Sequence, residues 1–159
     1  MKKFAVVLIM MVMALVWTSL GYSQEKSSPT LTLTWEVSGL KEPETAVYDP
    51  KRNVIYVSNI NGSPMEKDGN GFITKISVDG QVQELEWVTG FNAPKGMGIY
   101  ENSLYVSDID VLVEINTETG EVVSRHPFPN AKLLNDVTVD NSGKVYISVF
   151  FSLCNLSTI

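Results

Sequence analysis

The chain has 159 residues, with 18 acidic against 12 basic side chains, a net charge of −6 and an apolar fraction of 44%. The acidic balance argues against a nucleic-acid binder, which needs a basic face, and the apolar fraction argues against a disordered chain. A single cysteine (Cys154) and a single histidine (His126) leave no internal disulfide, no cysteine-built zinc site and no histidine-rich metal site.

The N-terminus reads MKKFAVVLIMMVMALVWTSLGYSQEK. Lys2 and Lys3 precede an apolar run of 14 residues, 4–17, and then a small, polar stretch with Gly21 and Ser23 ahead of Gln24. This is the three-part pattern of a secretory signal peptide, and the run is shorter than the ~20 residues of a membrane span. Residues 1–23 are therefore expected to be a signal-peptide helix, cleaved near Ser23/Gln24, with the product periplasmic or secreted and off the membrane. Cleavage removes two lysines and moves the net charge from −6 to −8. Residues 24–30 read as a flexible leader.

From residue 31 the pattern is strands. Leu31-Thr-Leu-Thr-Trp-Glu-Val37 alternates strictly, which predicts a half-buried strand. Further strands are expected at 54–58, 72–78, 83–88, 104–107, 111–116 and 145–148. Turns fall at Asp79-Gly80, Glu118-Thr-Gly120 and Asn141-Ser-Gly143, where glycine supplies positive φ. No sustained helical period follows residue 23.

The strands repeat. Tyr56-Val-Ser58, Tyr105-Val-Ser107 and Tyr146-Ile-Ser148 form one signature. Each follows a block ending in an acid: Glu44-Thr-Ala-Val-Tyr-Asp49, Gly96-Met-Gly-Ile-Tyr-Glu101 and Asn135-Asp-Val-Thr-Val-Asp140. A period of about 40–50 residues with short strands indicates a β-propeller; a β-sandwich with coincidental spacing is the alternative. The expected fold is all-β, an incomplete propeller of about three blades over residues 31–148. In such a blade the first strand is innermost, so Glu44, Gly96 and Asn135 are expected at equivalent heights around one axis. Glu44 and Asn135 supply oxygen donors that suit a hard divalent cation, with Gly96 leaving room between them. Asp136 and Asp108 are candidates to line the same channel, Asp108 alternatively capping a loop.

These motifs resemble the senescence marker protein/gluconolactonase (regucalcin-like) family of six-bladed propellers. The resemblance rests on Pro43-Glu44-Thr-Ala-Val-Tyr-Asp-Pro50, Asn53-Val-Ile-Tyr-Val-Ser58, Ala93-Pro-Lys-Gly-Met-Gly98, Leu104-Tyr-Val-Ser-Asp-Ile109 and Leu134-Asn-Asp-Val-Thr-Val-Asp140. It implies a divalent metal, calcium first and magnesium, manganese or zinc as alternatives, held by a Glu matching Glu44 and an Asn matching Asn135. It also implies a small lactone or sugar-derived ligand, hydrolysed with the metal polarising the carbonyl and an Asp activating water. That Asp and a second Asn belong to later blades and have no match here. The chain then reads as the N-terminal part of an exported lactonase-like hydrolase, inactive alone. A non-catalytic propeller for ligand or protein binding is the alternative.

The third unit departs from the pattern. Asn59 and Asp108 follow the first two signatures, but Val149 follows the third, and residues 149–159 carry no charge. This stretch reads as a divergent, frameshifted or truncated tail, or else as a divergent third strand. With too few blades to close a ring, the strand expected at 31–37 lacks a partner blade and should be poorly anchored.

Overall fold

The computed structural model describes residues 30–150 and the backbone of the strand Leu156–Thr158. The expected signal peptide, most of the leader and Cys154 lie outside the described residues. The chain divides into two units, Met1–Leu33 and Thr34–Ile159. Of the first, only residues 30–33 are described, with Leu31 and Leu33 exposed.

The described residues of the second unit hold strands and no helix. β1 (Pro43–Asp49), β2 (Val54–Asn59), β3 (Gly71–Ser77) and β4 (Val82–Phe91) form one antiparallel sheet in that order. β5 (Pro94–Tyr100), β6 (Ser103–Asp108), β7 (Val111–Asn116) and β8 (Val122–Pro127) form a second. β9 (Leu134–Val139), β10 (Val145–Val149) and β11 (Leu156–Thr158) form a third, of three strands. These are three consecutive blades of an unclosed propeller. The first strands β1, β5 and β9 pack against one another in succession, as the innermost strands of a propeller do. The tail beyond Val149 contributes a strand: β11 pairs with β10 through Ile147↔Ser157, in the third-strand place.

Period-two alternation gives each blade two packing faces. Val54, Tyr56, Ile73, Val88 and Phe91 of the first blade meet Met97, Leu104, Val106, Val113 and Ile115 of the second. The residues between them point the other way, so Tyr105 and Leu112 join Leu134, Val137, Val145 and Ile147 in a second core. Tyr56 sits at the centre of the first core, fully buried and stacked on Trp87 at 4.7 Å between ring centroids. Its hydroxyl donates to Thr117 O of the second blade at 3.3 Å. Burial first, and the charge of Asp49 second, push its pKa up to about 12.

One expected strand does not form. Residues 31–37 are irregular, and Trp35 remains 38% exposed. A strand needs a neighbour for its backbone polar groups, and alternation alone does not supply one. Trp35 is instead held by its indole N–H, which donates to Val78 O at 3.0 Å, over Gly80 in the β3–β4 turn.

Candidate functional site

The register fixes which residues are equivalent. Tyr56 pairs with Val47, Tyr105 with Gly98 and Tyr146 with Thr138. Three residues back on each first strand lie Glu44, Lys95 and Asn135. The second member of this set is thus Lys95, not Gly96. The acid-ended blocks misled by one residue, because Glu101 is not the counterpart of Asp49 and Asp140. It sits in the two-residue turn between Tyr100 and Ser103 with φ of 51°. Pro43 and Pro94, each just ahead of the site position, carried the correct alignment in the sequence.

All three positions fall in a β-bulge. Glu44 and Thr45 lie between the pairs Pro43↔Asn59 and Ala46↔Val57, so two residues face Ser58 alone. Lys95 and Gly96 face Ser107 in the same way, and Asn135 and Asp136 face Ser148. A bulge interrupts the ladder and leaves a backbone group unpaired. The serine of each signature answers it. Thr45 N donates to Ser58 Oγ at 3.0 Å, Asp136 N to Ser148 Oγ at 2.9 Å, and Ser107 Oγ to Gly96 O at 3.3 Å. Ser107 Oγ also lies 2.5 Å from Asn135 O, tying the second blade to the third. The serine therefore belongs to the bulge, which re-aims the side chains at the start of each first strand.

Glu44 is exposed and its Oε2 accepts from Thr45 Oγ1 at 2.7 Å. Asn135 is half-buried and its amide N donates to Asp136 Oδ2 at 3.4 Å. Asp136 is exposed and also accepts from Ser148 Oγ at 3.3 Å. Lys95 is only 4% exposed. Its Nζ donates to Ala93 O at 2.9 Å and to Pro64 O, in the β2–β3 loop of the first blade, at 2.8 Å. Burial lowers its pKa, and the carboxylates of Asp108 and then Glu44 act in the opposite direction. Gly96 does not open space between Glu44 and Asn135. A β-carbon there would run into the backbone of Asn135, Asp136 and Val137, so the missing side chain lets two first strands approach.

Asp108, a candidate channel residue, is 1% exposed with both oxygens engaged. They accept from Asn92 N at 3.0 Å and Ala93 N at 2.8 Å, bracing the segment that enters the second blade. Asn59 is its counterpart in the first blade, accepting from Lys41 N at 2.9 Å. Val149 takes this place in the third blade and has no polar group to do so.

The donor set can be weighed against a divalent cation. Hard cations such as calcium take six to eight oxygens, several of them carboxylate. The three bulges offer two carboxylates, Glu44 and Asp136, the Asn135 amide and the Lys95 ammonium. Among the described residues, no group of three or more His, Cys, Asp or Glu is gathered to hold a metal. What does not fit the metal that the resemblance implies is the ammonium of Lys95 at the middle of the three positions.

Sequence reading missed a polar cluster on the second blade. Glu114 accepts from Ser103 Oγ at 2.6 Å and from Ser124 Oγ at 2.9 Å, and Ser124 Oγ lies 2.8 Å from His126 Nε2. The serine stands between acid and imidazole, and its proton is committed to the carboxylate. Activating a nucleophile requires the imidazole to take that proton, so this order does not make a triad.

No family model and no curated protein matches the sequence. Solved structures do. A gluconolactonase from Xanthomonas campestris aligns with a TM-score of 0.56 and 17% identity over 71% of this chain and 36% of its own. A nidogen/laminin complex gives 0.56 and 19% identity over 70% of this chain and 41% of its own. A glucose dehydrogenase gives 0.54 and 14% identity over 86% and 48%. The chain thus spans less than half the length of these structures, and at such identities the likeness is one of fold. The described blades are those of a β-propeller, and gluconolactonase and glucose dehydrogenase propellers are among its structural neighbours.

Proposed function

We propose that the chain contributes to an exported lactonase-like propeller that takes a small sugar-derived lactone or ester at the bulge end of its first strands and hydrolyses it. The observation that carries this reading is the same bulge on three consecutive blades, with Glu44, Lys95 and Asn135 at equivalent positions. Carboxylate and amide groups at one level suit a hydroxyl-rich ligand, which both donates and accepts hydrogen bonds. The fold shared with a gluconolactonase supports the substrate class. Export rests on the N-terminal pattern of residues 1–23. In the family that the motifs resemble, the general base comes from a later blade, so turnover belongs to a ring that includes one.

A second reading, ligand binding without turnover, is favoured by Lys95. A buried ammonium committed to two carbonyls leaves little of the machinery for activating water at this end. The test is calorimetric titration of a propeller ring that contains these blades with glucono-lactone and gluconate, alongside proton release measured in a pH-stat. Proton release above the spontaneous rate, lost in Glu44→Gln, supports the hydrolase. Saturable heat without proton release supports the binding module, and neither signal overturns both.

A further inference from the structure

We infer that the fixed positive charge of this centre is the ammonium of Lys95, and that its presence keeps a divalent metal from Glu44 and Asn135. The inference rests on register and burial and not on the lactone reading.

Lys95 occupies the bulge position between those of Glu44 and Asn135, on the middle one of three consecutive first strands. Its side chain is buried, so it cannot swing into solvent without unmaking two hydrogen bonds, to Pro64 O and Ala93 O. An unpaired buried ammonium is costly, and these bonds together with nearby carboxylates are what hold it in place. Both Asp108 and Glu44 lie within electrostatic reach of it. Asp108 is already committed to Asn92 and Ala93. The strands of Glu44 and Asn135 thus flank a cation that the chain itself provides.

A divalent ion at Glu44 and Asn135 would lie beside that ammonium and be repelled by it. The ammonium does a second thing that an ion of the medium would have to do by coordination. Through Pro64 O it ties the β2–β3 loop of the first blade to the first strand of the second. The same loop is held again where Lys67 meets Asp110 at 2.6 Å. A lysine therefore supplies both charge and cross-link at the middle of the three positions.

The test is manganese binding by the full chain, freed of metal by chelation and followed by the loss of the free Mn²⁺ electron paramagnetic resonance signal. Wild type is expected to show no stoichiometric site dependent on Glu44. Lys95→Asn, which exchanges the ammonium for an oxygen donor, is expected to bind one Mn²⁺, displaced by calcium and lost again in Lys95→Asn combined with Glu44→Gln. A wild-type site that Glu44→Gln abolishes would overturn the inference. So would a folded Lys95→Asn that binds nothing. Should Lys95→Asn not fold, Lys95→Met removes the charge alone, and weak Glu44-dependent binding against none decides in the same way. Because occupancy is the readout, the presence or absence of lactone turnover does not bear on the result.

Discussion

The close approach at Gly96 can be turned into a number. In Gly96→Ala the new β-carbon would stand 2.5 Å from Asp136 Cα and 2.7 Å from Val137 N, and would also strike Asn135 O. All three are backbone atoms of β9, so no side chain can rotate away. Restoring ordinary contact needs a retreat of roughly 1 Å by one strand, and overpacking of this kind costs about 1–3 kcal/mol. The same displacement loosens the Ser107 Oγ bridge to Asn135 O, worth about 1 kcal/mol. Against this stands the usual benefit of replacing glycine, about 0.4–1 kcal/mol from a less disordered unfolded chain. Gly96 is not among the residues with positive φ, so that benefit applies in full. The net expectation is a loss of about 1–3 kcal/mol, lowering the urea midpoint by roughly 1 M for an m-value of about 1–3 kcal/mol/M. Gly39→Ala is the control: its φ of 87° strains alanine, but nothing lies within 4 Å of the added carbon. Hydrogen exchange should place the Gly96→Ala damage in β9 and β10. A midpoint equal to wild type, or a drop no larger than that of Gly39→Ala, would refute the claim that Gly96 serves strand approach.

Asp108→Ala should leave the N–H groups of Asn92 and Ala93 without acceptors and cost about 2–4 kcal/mol in urea denaturation. Asp108→Asn should cost less, because Asn59 does the same work in the first blade as an amide; equal losses would mean that the charge, not the acceptor, matters. Tyr56 sets an alkaline limit. Its folded pKa of about 12 lies above the ordinary 10.0, so its contribution is full below pH 10 and is lost as pH rises toward 12. At about 1.4 kcal/mol per pKa unit the loss is at most about 3 kcal/mol. Urea midpoints measured between pH 9 and 12 should fall for wild type relative to Tyr56→Phe as pH rises, and parallel curves would contradict the assignment.

The sequence revealed the strands more readily than their register. Tyr56, Tyr105 and Tyr146 stand out because a signature paired across two strands must keep its spacing within the blade, and Gly80, Gly120 and Gly143 stand out because their turns require positive φ. The strand expected at 31–37 shows the limit of periodicity, since Leu31, Leu33 and Trp35 alternate correctly and still have no ladder to join. The error at Gly96 has a different origin. The hairpins that follow the first strands differ in length, so a count taken back from Glu101, a turn residue, lands one place late, at Gly96. Residues inside the ladder are held to a pattern by the core, as Tyr56 and Leu104 are. Those in the bulge are released from it, as Glu44, Lys95 and Asn135 are, and can take charge, amide or ammonium without disturbing the sheet. The positions that periodicity locates least well are for that reason the ones free to carry the chemistry. Lys95 could be found only by anchoring the count on residues that the ladder holds fixed.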